Sequence, residues 1–341
     1  MKKTILVTGG AGYIGSITIL ELLRNTEFEV LSVDNFLNSS PKTFERIKKI
    51  TDKVVVNYNI DLRDLRLLRT IFEKHSIDGI IHFAALKSVP ESLEKPHWYY
   101  DNNLNSQLNI MKCCEDYGIK NLIFSSSCSV YGEVQNLPVD ENTPLSEPKC
   151  PYAHTKRVGE EMLAFWSTQV KVNTIALRYF NPVGADPTGL LGEDPRNTPT
   201  NLVPVITGSA IGNLPPVKVF GSDYPTRDGS CIRDYVHVND IADAHIKALL
   251  YLFEQKNSSF FDIINLGTGN GVTVLEMIYA FEQVTQQKLQ YELSDRRAGD
   301  VAQIYSNPQK AQKLLNWFPK YDVYQMMESA WKWQLYLKHE N

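Results

Sequence analysis

At 341 residues, with 43% hydrophobic and 22% charged side chains, the chain has ordinary globular composition and length for two domains or one large α/β unit. Its 35 Lys+Arg against 39 Asp+Glu leave a net charge of −4 with no long run of either sign, which argues against nucleic acid and against a basic membrane-surface helix. Five cysteines without a CxxC pair, and no apolar stretch near the roughly 18 residues of a membrane span, exclude a disulfide framework, a zinc ribbon and a membrane anchor.

The apolar run after Met1-Lys2-Lys3 stops at Gly9-Gly10, too early for a secretory leader, so a reducing, cytoplasmic location is expected. Strands are expected at residues 4–8, 29–33, 53–57, 79–83, 121–125 and 173–177. All are rich in β-branched residues, apolar nearly throughout, and bounded by Gly, Asn or charge. Helical patterns fall between them, at 16–24, 64–74, 103–117 and 152–167. Continuous apolar strands alternating with helices predict a doubly wound, parallel Rossmann sheet buried on both faces.

After Phe180 the texture changes. Residues 182–231 hold 8 of the 17 prolines and 7 of the 19 glycines, which predicts loops and short elements that supply binding surface. A helix is expected again at 238–254, a strand at 262–266, a helix at 274–285, and a helical C-terminus around Trp331-Lys332-Trp333. The expected division is a Rossmann unit of residues 1–180 and a smaller, loop-rich mixed α/β unit of residues 181–341. A segment near 236–262 is expected to return to the first unit.

The first strand runs into Gly9-Gly10-Ala11-Gly12-Tyr13-Ile14-Gly15 and then a helix. In this order Gly9 allows a tight turn, Gly12 admits a pyrophosphate against the backbone, and Gly15 lets helix and strand pack closely. Asp34 ends the second strand, 19 residues after Gly15, where a carboxylate accepts from an adenosine ribose and disfavours a 2′-phosphate; NAD is therefore expected over NADP. Asp61-Leu62, after the third strand, could meet the adenine, and Phe83-Ala84-Ala85-Leu86-Lys87 ends the fourth with small residues and one cation. The bland alternatives are an acid capping a Gly-rich turn, an acidic loop and a solvated lysine.

Ser125-Ser126-Ser127 ends the fifth strand, and Tyr152-Ala153-His154-Thr155-Lys156 opens a helix 25 residues later. Tyr152 and Lys156 share one helical face. A phenol with a pKa of about 10 is a poor base at neutral pH, but a nearby ammonium and an oxidised nicotinamide would both favour phenolate. Taken alone the pair could be a surface contact; after a dinucleotide fingerprint and a serine-rich strand end it reads as proton-transfer machinery. The seven histidines show no metal-ligand spacing, so no metal is expected, and His82 and His237 read as core residues.

These segments resemble the extended short-chain dehydrogenase/reductases and, more narrowly, the UDP-glucose 4-epimerases. The narrow match rests on Asp34-Asn35, Phe83-Ala84-Ala85-x-Lys87, Tyr99-Tyr100-Asp101-Asn102-Asn103 and Arg178-Tyr179-Phe180-Asn181-Pro182-Val183-Gly184-Ala185. It continues in Gly221-Ser222-Asp223-Tyr224-Pro225-Thr226, Arg233-Asp234-Tyr235-Val236-His237-Val238 and Arg297-Ala298-Gly299-Asp300. The resemblance implies reversible interconversion of UDP-glucose and UDP-galactose, in galactose metabolism, by NAD-mediated hydride transfer at C4 through a 4-keto sugar. Tyr152 is implied as the base, Lys156 as its electrostatic partner and ribose ligand, and Ser127 as the hydrogen-bond partner of the reacting oxygen.

The resemblance also implies cofactor contacts at Gly9, Gly12, Tyr13, Ile14, Gly15, Asp34, Asn35, Asn38, Ser39, Asp61 and Leu62. Phe83, Ala84, Ala85, Lys87, Asn102, Ser127, Tyr152, Lys156 and Tyr179 complete that set, although Asn102 could equally be a helix cap. Substrate contacts are implied at Lys87, Ser127, Tyr152, Phe180, Asn181, Asn201, Leu202, Lys218, Val219 and Phe220, and at Arg233, Tyr235, Arg297, Asp300 and Ile304. The two arginines suit a diphosphate. Ile304 stands where side-chain size gates the hexose pocket, and its bulk implies a preference for UDP-glucose and UDP-galactose over the N-acetylated sugars. A homodimer is expected by resemblance. The alternatives are a 4-epimerase of another UDP-sugar, such as UDP-glucuronate or UDP-N-acetylglucosamine, or a non-catalytic NAD-binding regulatory module, which would have no need of Tyr152, Lys156 and Ser127 together. A 4,6-dehydratase would need an acidic pair where this chain has Cys128-Ser129.

Overall fold

The computed structural model describes residues 2–297 and 300–340; Ala298 and Gly299, inside the Arg297–Asp300 segment singled out above, lie outside the described residues. The first part alternates β1 (Thr4–Thr8), α1 (Tyr13–Asn25), β2 (Glu29–Val33), α2 (Lys42–Thr51), β3 (Val56–Tyr58), α3 (Leu65–Lys74) and β4 (Gly79–His82). It continues through α4 (Val89–Glu94), α5 (Pro96–Tyr117), β5 (Asn121–Ser127), α6 (Pro151–Val170) and β6 (Asn173–Tyr179). The second part contains β7 (Asn181–Val183), α7 (Leu202–Ala210), β8 (Val217–Phe220), β9 (Ile232–His237), α8 (Val238–Phe253), β10 (Phe261–Leu266) and β11 (Gly271–Thr273). After these come α9 (Val274–Thr285), β12 (Tyr291–Ser294), β13 (Gln303–Ile304), α10 (Gln309–Leu315) and α11 (Val323–Glu340).

Seven strands form one parallel sheet in the order β10-β6-β5-β4-β1-β2-β3. Because successive side chains of a strand face opposite ways, a strand covered on both sides must be apolar at every position. Ile5 and Val7 enter the hydrophobic cluster that contains Ile17 and Leu20 of α1 and Ile241 and Leu249 of α8, whereas Leu6 between them enters the cluster of Leu68, Ile110 and Leu163 from α3, α5 and α6. Ile81 and Ile80 of β4 divide in the same way. Each such side chain contributes about 1.5–3 kcal/mol when fully buried. β10 lies beside β6 and α8 packs on α1, so the chain returns to the large sheet after an excursion.

The excursion is built differently. β9 pairs with β7 and β13 in parallel and with β11 antiparallel, and β8 pairs with β12. A third cluster, with Val203, Ile206, Val217, Met277, Phe281 and Met327, joins α7, β8, α9 and α11.

Several boundaries differ from the sequence expectation. β3 starts at Val56 instead of residue 53, and Val54 is 71% exposed; at this sheet edge an apolar residue does not imply pairing. α2 was not expected, since only Thr43, Arg46 and Ile47 of its ten residues are buried and its apolar stripe is too thin to read. α5 begins at Pro96, not at residue 103, so Asn102 lies inside the helix and the cap reading fails. Among the described residues no helix is long and apolar enough to cross a membrane, and all five cysteines carry free thiols.

Candidate active site

The glycine loop lies between β1 and α1, as its spacing requires. Gly9 has φ +70°, and a Cβ there would stand 2.8 Å from the Ala84 nitrogen at the end of β4; a Cβ on Gly15 would stand 2.3 Å from the Gly9 carbonyl oxygen. Both glycines are therefore needed by the chain itself. Gly12 is not: its absent Cβ would meet only the Gly9 oxygen, at 3.2 Å. Gly12 is the N-cap of α1, with no side-chain cap and no acidic residue in the first turn, so the positive end of the helix faces a cradle open to an anion. Asp34 closes the cradle by accepting from the Ala11 amide (3.0 Å), the Phe36 amide (2.9 Å) and the Ser39 hydroxyl (2.7 Å). This loop, helix end and carboxylate fit a dinucleotide.

The neighbouring positions vary in how they are held. Asp61 is kept below the usual carboxylate range by its contact with Arg63, and its carboxylate is 3.5 Å from the Asn35 amide. Leu62 is buried in the second cluster, and Asn38 is exposed. The half-buried Phe83, Ala84 and Ala85 lead to Leu86, whose amide donates to Asn103 Oδ1 (2.8 Å) while its carbonyl accepts from Asn103 Nδ2 (3.1 Å). Asn103 also donates to Thr155 of α6 (3.1 Å) and accepts from Asn102 (3.1 Å). Asn103 thus fixes this loop, while Asn102, the position singled out from sequence, is half-buried beside it. Lys87 donates to Glu193 Oε1 (2.8 Å), and the same oxygen accepts from Asn201 Nδ2 (3.1 Å); Tyr13 donates to the Gly184 carbonyl (2.6 Å).

Pro151 at the first position of α6 and the Cys150 thiol accepting from the Ala153 amide start the helix that carries Tyr152 and Lys156. Lys156 is 5% exposed and donates to the Ser125 carbonyl (2.7 Å) at the end of β5. Burial draws its ammonium down to about 8, with Glu160 opposing the fall. Burial pushes the Tyr152 phenol up to about 12, with the Ser127 hydroxyl opposing the rise. Within the chain alone, loss of solvent outweighs this stabilising neighbour. Tyr179 is committed to the core, its hydroxyl 2.7 Å from His245 Nε2. His82 and His237 are satisfied core residues, at 2.8 Å from the Thr8 hydroxyl and 3.1 Å from the Ser329 hydroxyl.

The second part brings its cations together. Arg297 donates to both carboxylate oxygens of Asp300 (3.1 and 2.9 Å) and lies over the Phe220 ring. Arg233 donates to the Ile232 and Val301 carbonyls (2.9 and 2.8 Å) and approaches Asp300 to 3.6 Å. Arg233 also opposes the upward push of burial on the thiol of Cys128, the residue after Ser127. Ile304 pairs with Arg233 across β13 and β9, with a buried side chain. Phe180 is buried beside Tyr131, Asn181 opens β7, and Asn201 and Leu202 start α7. The Val219 and Tyr235 side chains lie in the third cluster. On β8 the alternation instead exposes Lys218 and Phe220.

Sequence reading missed Glu160 and Glu193, and quoted Asn103 and Arg178 within matched segments without a role. Glu160 had a signal, since it follows Lys156 by four residues on the same helical face. Glu193 had none, because its partners come from distant segments.

A family model described as GDP-mannose 4,6 dehydratase matches residues 6–330. A UDP-glucose 4-epimerase from Pasteurella multocida (strain Pm70) is 46% identical over 331 residues, covering 97% of each chain. The solved UDP-glucose 4-epimerase of Stenotrophomonas maltophila, with bound NAD and formylated UDP-arabinopyranose, has a TM-score of 0.96 and 41% identity, covering 99% of this chain and 100% of that one. That of Bifidobacterium longum, in complex with NAD+ and UDP, has a TM-score of 0.93 and 42% identity, again covering 99% and 100%. With likeness of this degree over nearly its whole length, the chain belongs to the UDP-glucose 4-epimerases, a branch of the extended short-chain dehydrogenase/reductases.

Proposed function

We propose that this chain interconverts UDP-glucose and UDP-galactose by inverting the sugar C4, with NAD as its cofactor. The observation that supports this best is at the end of β5, where the buried Lys156 is anchored on the Ser125 carbonyl two residues before Ser127, on the helix that also carries Tyr152. The proton-transfer groups thus gather at the end of β5, and in the second part Arg233 and Arg297 gather about Asp300.

Tyr152 takes the proton of the sugar 4-hydroxyl and returns it after inversion. Ser127 hydrogen-bonds the reacting oxygen, and Lys156 holds the nicotinamide ribose and keeps positive charge near the phenol. Bound NAD supplies a reversible hydride acceptor for C4 and a further positive charge beside the phenol, whose burial otherwise leaves it protonated at neutral pH. Gly12 and the α1 terminus hold the pyrophosphate of the cofactor, and Asp34 holds its adenosine ribose. Arg233 and Arg297 hold the substrate diphosphate, leaving the hexose free to turn over between hydride removal and return.

On this reading residues 1–180, with the segment near 236–262, bind NAD, and the remainder binds the nucleotide sugar. Ile304, buried next to Arg233, limits space beside the hexose and favours sugars without a 2-acetamido group. The chain works in the cytoplasm as a homodimer, with Leu108 on α5 and Phe165 on α6 as exposed apolar anchors; Phe165 is 79% exposed. Dehydration chemistry is disfavoured because Cys128-Ser129 stand where it would need an acidic pair. UDP-galactose carrying deuterium at C4 tests the reading. Retention of the label at C4 of UDP-glucose is expected, and washout into solvent would overturn hydride return.

A further inference from the structure

On α6, Tyr152, Lys156 and Glu160 recur every four residues and make one stripe facing the end of β5. Three successive serines meet that stripe. The Ser125 carbonyl accepts from Lys156 Nζ (2.7 Å), the Ser126 hydroxyl donates to the Glu160 carboxylate, and the Ser127 hydroxyl bears on Tyr152. From β6, Arg178 donates through Nε (2.9 Å) and Nη2 (2.6 Å) to the two oxygens of Glu160, and its guanidinium lies over the Tyr131 ring. Ser126, Lys156, Glu160 and Arg178 are all at most 5% exposed. One buried cation, Arg178, is therefore paired with the buried Glu160 carboxylate, and a second, Lys156, stands one helical turn before it on the same stripe. A buried ion pair is poor evidence for stability, since well-packed apolar residues usually serve as well. A single carboxylate within reach of the Tyr152–Lys156 pair has a different use.

We propose that Glu160 is a positioning residue for the reaction: it keeps Lys156 protonated beside Tyr152, and its pairing with Arg178 and Ser126 holds it there. This rests on the role given to Lys156 above. The ionisable groups facing Lys156 are Glu160 and Tyr152 on its own helix and His82 on β4, a base that burial and Lys156 itself keep neutral. β5 contributes the Ser125 carbonyl and the Phe124 ring, and β6 contributes Tyr179 beside Tyr152 and Arg178 behind Glu160. From α5 come the neutral Asn103 and Gln107, and the Glu91 of α4 is engaged by Tyr99 and Lys95. Glu160 is thus the anion that opposes the effect of burial on Lys156.

The test titrates the purified holoenzyme labelled with 13Cε-lysine, the Lys156 signal being identified by its loss in Lys156→Met. Glu160→Gln is expected to lower the Lys156 midpoint by about one pH unit. Turnover of UDP-galactose should then fall about tenfold at pH 9 and less than twofold at pH 6, as expected when the alkaline limb moves down by that amount. Glu160→Asp should restore most of both. If Glu160→Gln fails to fold because Arg178 is left unpaired, Glu160→Gln combined with Arg178→Met leaves no unpaired guanidinium and should still lower the midpoint, by less because a neighbouring cation is removed with the anion. An unmoved midpoint in whichever variant folds, or a loss of turnover equal at all pH values, would overturn the proposal. Turnover unaffected by Lys156→Met would instead overturn the role of Lys156, whatever the midpoint shows.

Discussion

In the large sheet, neighbouring residues of one strand belong to different hydrophobic clusters, Leu6 on one side and Ile5 and Val7 on the other. In the stretch from β7 to β13, the two arginines read as substrate contacts are held instead by polar groups, Arg233 by the Ile232 and Val301 carbonyls and Arg297 by the Asp300 carboxylate. The first kind of order comes from burial and resists single surface changes. The second comes from polar convergence, so individual residues can be removed with local effects. The difference suits a protein that must hold one cofactor rigidly while a sugar turns over beside it.

That contrast can be broken most severely where the two parts meet. Tyr152→Phe removes the proton acceptor but little of the packing; turnover of UDP-galactose should fall by about 10²–10⁴, with NAD still bound on release by heat and chromatography. Retained turnover would remove Tyr152 from the reaction. Next in size, Arg297→Leu should raise KM for UDP-galactose by about 10–100-fold with little change in melting temperature, because its partners among the described residues are Asp300 and the Phe220 face. Arg233→Leu should raise KM and also lower stability, since it strips two carbonyls of their donor. Equal melting temperatures for the two variants would mean that Arg233 is not structural.

The glycine loop offers a finer contrast. Gly15→Ala forces a Cβ against the Gly9 carbonyl and should destabilise by about 1–3 kcal/mol in urea unfolding. Gly12→Ala should leave that stability nearly unchanged yet release NAD during purification, because its Cβ would enter the cradle. The reverse pattern would assign the cradle wrongly. Smallest is the expected gain at Ile304: Ile304→Gly should raise turnover of UDP-N-acetylglucosamine relative to UDP-galactose on the order of tenfold. No gain would place the limit on the sugar elsewhere.

What could be read from the sequence follows the same divide. The bounds of β1, β2 and α9 coincide with their apolar patterns, because burial on two faces or on one stripe writes itself into periodicity. At the sheet edge and on thin helices that signal fades, which displaced β3 and hid α2. The Gly9–Gly15 loop and the Tyr152–Lys156 pair were legible because their spacing is local. Glu193, which bridges Lys87 and Asn201, was not, since nothing in a run of residues shows which distant ones will meet. Val219 and Tyr235, marked as contacts by resemblance, have side chains in the third cluster, a placement that follows from the alternation of β8 and the packing of β9.

Proton NMR of UDP-galactose mixed with the purified protein, with no cofactor added, addresses the central claim directly. Growth of the UDP-glucose anomeric signal to a stable ratio, abolished in Tyr152→Phe, is the expected result and shows that NAD travels with the protein. An unchanged UDP-galactose spectrum, persisting after NAD is supplied, would contradict 4-epimerisation of this sugar.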